Sequence, residues 1–121
     1  MLSCSHENKI TRKDANFMKY SKLFSPIKIG SITIKNRFAM APMGPLGLAD
    51  ANGGWNQRGI DYYVERAKGG TGLIITGVTF FDQVVEKQDP TTVPNPLYKP
   101  VNFVKTSREM TERIHAYGSK I

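Results

Sequence analysis

The chain has 121 residues, 40% hydrophobic and 10% aromatic, which is enough for one ordinary globular domain with a packed core. Seventeen lysines and arginines against ten acidic residues give a formal net charge of +7, which favours anionic partners such as phosphates or CoA-like substrates. The basic residues are scattered, without a long run and without interleaved aromatics, so the pattern argues against nucleic-acid binding.

Residues 1–17 are polar and unpatterned, which predicts a disordered extension or an upstream mis-start before a domain at 18–121. Cys4 is the only cysteine, so this chain alone can form neither an intramolecular disulfide nor a cysteine-based metal or iron–sulfur site. The stretch lacks the apolar core of a signal peptide, and no apolar run approaches the ~20 residues that span a bilayer. We therefore predict a cytoplasmic protein without a membrane partner.

An alternating pattern predicts a β-hairpin between residues 27 and 34. Isoleucines alternate with polar residues on both sides of Gly30-Ser31, where glycine supplies the positive φ of a type II′ turn. The isoleucines that share the apolar face are Ile27, Ile29, Ile32 and Ile34. This face must cover another surface, such as the amino-terminal end of a barrel.

The next segment predicts a buried strand that ends in a ligand-binding turn. Residues 38–40, Phe-Ala-Met, are apolar without alternation, which is typical of a short strand covered on both faces. Pro42 cannot donate a ladder hydrogen bond, so the strand ends near Ala41. The turn at 41–44 then exposes backbone groups at the carboxyl end of the strand, where α/β folds bind ligands.

We interpret this turn as a binding site for a flat aromatic ligand; a plain structural turn is the alternative. Its small residue, proline, thioether and glycine let such a ligand lie against the backbone, with Met43 packing on its face. A flavin needs this kind of contact, because the protein supplies orientation while the redox chemistry belongs to the cofactor. The candidate residues are Ala41, Pro42, Met43 and Gly44.

Residues 44–57, rich in glycine and asparagine, predict a surface loop. An amphipathic helix follows, with Asn56 as a plausible N-cap and Gly69-Gly70 at its end. Its apolar stripe consists of Ile60, Tyr63, Val64 and Ala67.

Residues 71–76 then predict a second buried strand, and strand, helix and strand in this order form a parallel unit. The turns 41–44 and 77–80 must therefore lie side by side.

Residues 82–104 contain four prolines and predict a long connection, either a substrate lid or a plain surface loop.

Thr106 and Glu109 form a capping box that predicts the start of a second helix, which ends at Gly118. Its apolar face consists of Met110, Ile114 and Tyr117. Residues 119–121 look like the start of a third strand. This order of elements suits an α/β barrel or a doubly wound sheet, and the pattern does not distinguish them.

Three blocks, in order, resemble the amino-terminal part of the old yellow enzyme family of NADH:flavin oxidoreductases: LFSPIKIGSITIKNRFAMAPMG, YYVERAKGGTGLIITG and IHAYGSKI. The resemblance extends from Leu23 to Ile121 and is strongest to the 2-enoate reductase branch, near the 2,4-dienoyl-CoA reductases. It implies the amino-terminal portion of a (β/α)8 TIM barrel: the hairpin, two βα units and the start of a third strand. It also implies FMN at the carboxyl-end face of the completed barrel.

The resemblance further implies that Pro42, Met43 and Gly44, with Ala41 adjoining, contact FMN, and that Val78 gives a backbone contact. At position 78 relatives often carry a smaller residue than this valine, and at position 44 several relatives carry cysteine or threonine in place of this glycine. The implied reaction passes hydride from NAD(P)H through FMN to an activated C=C bond of 2-enoates or of enoyl and dienoyl thioesters. Larger members also carry FAD and a 4Fe-4S cluster, which this chain would not bind. Catalytic groups would come from later strands.

Three strands cannot close an eight-stranded barrel, so the domain at 18–121 is predicted to be incomplete. Each large apolar side chain left uncovered forfeits ~1.5–3 kcal/mol, against a net domain stability of only ~5–15 kcal/mol. We expect the chain to be neither stably folded nor active by itself, with the remaining barrel on a longer or a separate chain. The alternatives are an inactive truncated fragment and a small basic module that binds anionic ligands or nucleic acid.

Overall fold

The computed structural model describes residues 19–81, 89 and 91–121. The predicted extension at 1–17 lies outside them, as does most of the segment 82–90. The elements in chain order are α1 (Ser21–Phe24), β1 (Ile27–Ile29), β2 (Ile32–Ile34), β3 (Ala39–Met40), α2 (Gln57–Lys68), β4 (Leu73–Ile74) and α3 (Pro100–His115). Apart from the short helix α1, which the sequence analysis does not predict, this order is the mixed α/β arrangement that the sequence predicts.

The hairpin forms as predicted. β1 and β2 pair antiparallel, with Ile27 opposite Ile34 and Ile29 opposite Ile32. Gly30 has φ of 57°, and no other described residue except glycines has positive φ, which matches a type II′ turn. Ile34 is 1% exposed, whereas Ile29 and Ile32 are about half exposed. The base of the hairpin is therefore buried, and its tip is open.

The two predicted buried strands pair in parallel, with Ala39 opposite Leu73 and Met40 opposite Ile74. On the other side of β4, Lys120 N–H donates to the Gly72 carbonyl at 2.8 Å, and Ile74 N–H donates to the Lys120 carbonyl at 2.7 Å. The third strand therefore begins where the sequence predicts it. β4 is shorter than the predicted strand at 71–76, because its ladder with β3 pairs only Leu73 and Ile74.

The core lies between the helices and β4. The predicted stripe of α2 is confirmed, since all four of its residues are buried. Asn56 Oδ1 accepts the Gly59 N–H at 2.8 Å, as an N-cap should. Gly70, with φ of 101°, follows the helix. The buried core cluster consists of Leu48, Trp55, Ile60, Tyr63, Val64, Ala67, Ile74, Met110 and Ile114.

The prediction of a surface loop at 44–57 is wrong on both sides of its exposed centre. Leu48 and Trp55 are 3% and 4% exposed, and the Asn56 N–H donates to the Leu48 carbonyl at 2.9 Å. A tight turn between them is closed by Asp50, whose Oδ1 accepts the N–H groups of Asn52 and Gly54 at 2.7 and 3.0 Å. This turn reverses the chain, so two apolar residues seven positions apart enter the same core.

The predicted start of the second helix is also wrong. α3 begins at Pro100, and proline suits this first position because its missing N–H has no partner there. Thr106 lies inside the helix, where its hydroxyl donates to the Asn102 carbonyl at 3.0 Å and accepts the Trp55 N–H at 3.0 Å. Met110 and Ile114 are buried as predicted, but Tyr117 lies beyond the helix and is 45% exposed.

The sheet is open in the described residues. Phe38 and Ile75 are 41% and 46% exposed, so apolar side chains of the sheet are uncovered, as the sequence analysis expects of an incomplete barrel. The elements that would cover them in a complete barrel are absent from this chain. Within the described parts of the chain, no helix is both long and apolar enough to cross a membrane.

Candidate functional site

The turns that follow β3 and β4, at 41–44 and 77–80, are in direct contact, and we call them the paired turns. A Cβ on Gly77 would lie 2.8 Å from the carbonyl carbon of Met43 and 2.9 Å from Cα of Gly44, so only glycine fits there. From the other side, a Cβ on Gly44 would lie 3.4 Å from Cγ1 of Val78. The predicted adjacency of the two turns is confirmed.

The candidate residues form an exposed apolar surface. The structure brings Met43, Gly44 and Val78 together, and Ala41 and Pro42 precede them, exposed, on the same turn. Met43 and Val78 are 55% and 49% exposed. None of the five carries an acid, a base or a nucleophile, so this surface can bind and orient a ligand but cannot itself transfer a proton.

Behind the paired turns, Tyr63 of α2 reaches the first residue of the second turn. The Gly77 N–H donates to Tyr63 Oη at 2.9 Å. Tyr63 is 1% exposed, and its ring meets Trp55 and Tyr62 edge-on, with centroid distances of 5.5 and 5.0 Å. Burial raises the pKa of Tyr63 above its usual value of about 10. The phenol is therefore neutral at physiological pH.

Sequence reasoning treated Tyr63 only as part of an apolar stripe and missed this hydrogen bond. The available signal was the residue type, because a buried tyrosine hydroxyl usually has a hydrogen-bond partner. Which backbone group it meets depends on how β4 and its turn pack over α2, and a local pattern does not contain that information.

Trp55 connects this arrangement to α3. Its Nε1 donates to Ser107 Oγ at 3.1 Å, and its backbone N–H donates to Thr106 Oγ1 at 3.0 Å. The indole in turn packs edge-on against Tyr63. The position of Tyr63 is thus set by contacts that reach from the loop before α2 to the middle of α3.

Asp50 is the most strongly hydrogen-bonded carboxylate in this region, and its role is structural. Besides the two turn N–H groups, it accepts from Asn102 Nδ2, at 2.9 Å to Oδ2. Burial alone would raise the pKa of Asp50, but hydrogen bonds from Asn102, Gly54 and Asn52, with the nearby charge of Lys99, hold it below its usual value. Asp50 is ionised at neutral pH and is not a proton donor.

Two open grooves lie away from the paired turns. One, of about 520 Å³, runs beside residues 98–102 and Lys105, and the other, of about 240 Å³, lies between the hairpin and β3. Neither is lined by the five candidate residues. Among residues 19–81, 89 and 91–121, no group of three or more histidine, cysteine, aspartate or glutamate side chains could hold a metal ion.

Comparison with known protein families decides the classification. The model of the NADH:flavin oxidoreductase / NADH oxidase family matches residues 22–121. The chain belongs to the NADH:flavin oxidoreductase family. It is therefore related to flavin-dependent oxidoreductases, and the resemblance noted in the sequence is confirmed.

Two curated relatives show how much of an NADH:flavin oxidoreductase this chain represents. Cinnamate reductase of Clostridium sporogenes is 56% identical over 103 residues, which are 85% of this chain and 16% of the relative. NADH oxidase of Thermoanaerobacter brockii is 38% identical over 102 residues, 84% of this chain and 15% of the relative. The chain therefore spans about one sixth of the length of these relatives.

Solved structures of NADH:flavin oxidoreductases confirm the fold prediction. The old yellow enzyme from Trypanosoma cruzi superposes with a TM-score of 0.66 at 25% identity, covering 84% of this chain and 26% of that one. A 2-naphthoyl-CoA reductase in complex with 2-naphthoyl-CoA gives 0.67 at 29% identity, covering 83% and 14%. The chain is the amino-terminal part of a TIM barrel and leaves that barrel open. That the five candidate residues bind FMN stays a prediction.

Proposed function

We propose that this chain is the amino-terminal part of an FMN-dependent ene-reductase that uses NAD(P)H. Its substrates would be activated alkenes, namely 2-enoates or enoyl and dienoyl thioesters. The observation that carries the proposal is the contact of the paired turns at the carboxyl ends of β3 and β4, where α/β barrels place their sites. Cinnamate is a 2-enoate, and 2-naphthoyl-CoA is an unsaturated thioester, so the names of two relatives support this substrate class.

The residues of the paired turns fit one face of a flavin. Gly44 has no side chain to cover its backbone, and the apolar side chains of Met43 and Val78 beside it are half exposed. We propose that these three residues, with Ala41 and Pro42, hold the FMN ring. The chemistry that FMN supplies when bound is two-electron transfer, taking a hydride from NAD(P)H and delivering one to the alkene.

The contribution of this chain is binding and orientation. Met43 and Val78 would exclude water from one side of the ring, and the backbone of the paired turns would fix its distance from the barrel. The proton that completes alkene reduction, and the groups that anchor the substrate carbonyl, would come from other parts of the enzyme. We assign no role in FAD or iron–sulfur binding to this chain, whose only cysteine is Cys4.

Two proteins serve to test the proposal. One is the product of the native gene at its full translated length. The other, which we call the chimeric barrel, is cinnamate reductase of C. sporogenes in which the matching 103 residues are replaced by those of this chain. The chimeric barrel provides the remaining strands in every case, so the paired turns are tested in a closed fold.

We expect the chimeric barrel to retain FMN and, without oxygen, to consume one NAD(P)H for each cinnamate or enoyl thioester reduced. The measurements are the flavin absorption spectrum and the loss of absorbance of the conjugated alkene. A chimeric barrel that folds but binds no FMN contradicts the proposal. A full-length native product that binds no flavin, folds cooperatively by itself and is retained on DNA in a salt-sensitive manner would instead support the small basic module.

A further inference from the structure

We propose that Tyr63 is a positioning residue for the flavin, acting through Gly77. Its hydroxyl would fix the first N–H of the second of the paired turns, and so would set where Met43 and Val78 stand against the cofactor. The inference rests on the proposed function, because it needs a flavin at the paired turns. It adds a residue of α2 that lies behind the site rather than on its surface.

The first step is the rigidity of the tyrosine. Tyr63 is 1% exposed, and its ring makes edge-on contacts with Trp55 and with Tyr62. A side chain packed in this way has no alternative rotamer without opening the core. The hydroxyl is therefore a fixed acceptor, and the Gly77 N–H is held 2.9 Å from it.

The second step is the contact between Gly77 and the other turn. A Cβ at Gly77 would collide with the carbonyl group of Met43 and with Cα of Gly44, so the two backbones already touch. A displacement of Gly77 toward the first turn must move Met43 and Gly44, because no free space separates them. The hydrogen bond that the Gly77 N–H donates to Tyr63 of α2 thus fixes the distance between the two turns.

The third step separates this role from catalysis. Tyr63 is buried beneath the paired turns even in this open part of the barrel, so a ligand on their exposed surface does not reach it. Val78 directly follows Gly77, and Met43 touches Gly77. The effect of the hydroxyl on a flavin is therefore transmitted by the backbone.

The test uses Tyr63→Phe, which removes the hydroxyl and keeps the ring. Tyr62→Phe is the matched control, since it removes a neighbouring hydroxyl from the same helix. Both are made in the full-length native product and in the chimeric barrel. The measurements are the dissociation constant of FMN, the visible absorption bands of the bound flavin, and the thermal midpoint of the apoprotein.

We expect Tyr63→Phe to raise the dissociation constant of FMN about 3- to 10-fold, the equivalent of one net hydrogen bond, and to shift the flavin bands. Tyr62→Phe should stay within about twofold of the unmodified protein, below the loss of a typical hydrogen bond, with unchanged bands. Gly77→Ala keeps Tyr63 and adds one methyl group against Met43, so it should also weaken FMN binding and shift the bands.

If Tyr63→Phe leaves the FMN affinity and the flavin bands unchanged, whatever its thermal midpoint, the inference is wrong while the proposed function stands. Tyr63 is then a core residue only. Equal effects of Tyr62→Phe and Tyr63→Phe on the bands overturn it as well, because they indicate general loosening of α2. If neither the chimeric barrel nor the native product binds FMN without any of these substitutions, the proposed function is wrong, and this inference is wrong with it.

Discussion

Gly44 and Val78 face each other across the paired turns, with Cγ1 of Val78 3.4 Å from the position that a Cβ on Gly44 would take. The valine thus fills space beside a residue that has no side chain. The resemblance noted in the sequence implies a smaller residue at 78 and a larger one at 44, so the two positions at which this chain is expected to differ lie side by side.

This contact predicts that the two positions are coupled. Gly44→Thr in the chimeric barrel adds γ atoms that must compete with Val78, and we expect FMN binding to weaken by about 1 kcal/mol. The cost lies at the low end for overpacking because Val78 is half exposed and can move in part. Combining Gly44→Thr with Val78→Ala should recover most of the affinity. FMN titration of both single variants and the double variant measures the coupling, and additive effects would contradict it.

Gly77→Ala should lower stability much more than Gly44→Ala. The first adds a methyl group into the backbone of Met43, which cannot rotate away, and we expect a loss of about 1–3 kcal/mol. The second adds its methyl at ordinary contact distance from Val78, and we expect a change within about 0.5 kcal/mol. Urea unfolding of the chimeric barrel compares the two. Equal midpoints would show that the turns separate easily.

Tyr63→Phe leaves the Gly77 N–H without its partner. A fully buried donor without an acceptor costs about 1–3 kcal/mol, and since the Gly77 N–H is only partly buried, local opening at the second turn should become easier by about 1 kcal/mol. Hydrogen exchange of the segment containing Gly77 measures the opening, with Tyr62→Phe as control. Unchanged protection of this segment in Tyr63→Phe would mean that another group or water accepts the N–H equally well.

The depressed pKa of Asp50 predicts an acid-sensitive contribution to stability. Because the pKa is lower in the folded state than the unfolded value of about 3.9, the ionised carboxylate stabilises the fold above that value. The contribution is lost as the pH falls through the folded pKa.

Asp50→Asn removes this charge but keeps an acceptor oxygen for the turn. We expect the variant to be less stable by about 1–2 kcal/mol at pH 7, with the difference shrinking below about pH 4. Urea unfolding midpoints of the chimeric barrel at pH 7 and at about pH 3 measure this difference in stability. Glu65→Gln, on the exposed surface of α2, is the control. A deficit that is as large at pH 3 as at pH 7 would contradict the role of the charge.

Local patterns were sufficient for the elements whose cause is local. The four isoleucines and Gly30 specify the hairpin, and the stripe that contains Ile60 and Val64 specifies the buried face of α2. The adjacency of the paired turns also followed from sequence, because consecutive parallel strands bring their carboxyl ends to one edge.

Contacts between distant segments were beyond local patterns. Trp55 is buried in the core, and Thr106 and Ser107 of α3 accept its N–H groups, but nothing in the glycine-rich stretch around it indicates those partners. Thr106 and Glu109 match a capping box, yet the helix begins at Pro100, about two turns earlier. The hydrogen bond between Tyr63 and Gly77 likewise spans fourteen residues and a strand.

In the described residues, β3 has β4 on one side and no neighbour on the other. A closed barrel pairs its first strand with its last. In a polypeptide that carries the whole barrel, the free backbone groups of β3 would stay unpaired until the last strand is synthesised, and an open strand edge of this kind is prone to self-association. We expect such a polypeptide to be most prone to self-association between translation of its first strand and its eighth, which is when binding to a chaperone would protect it most.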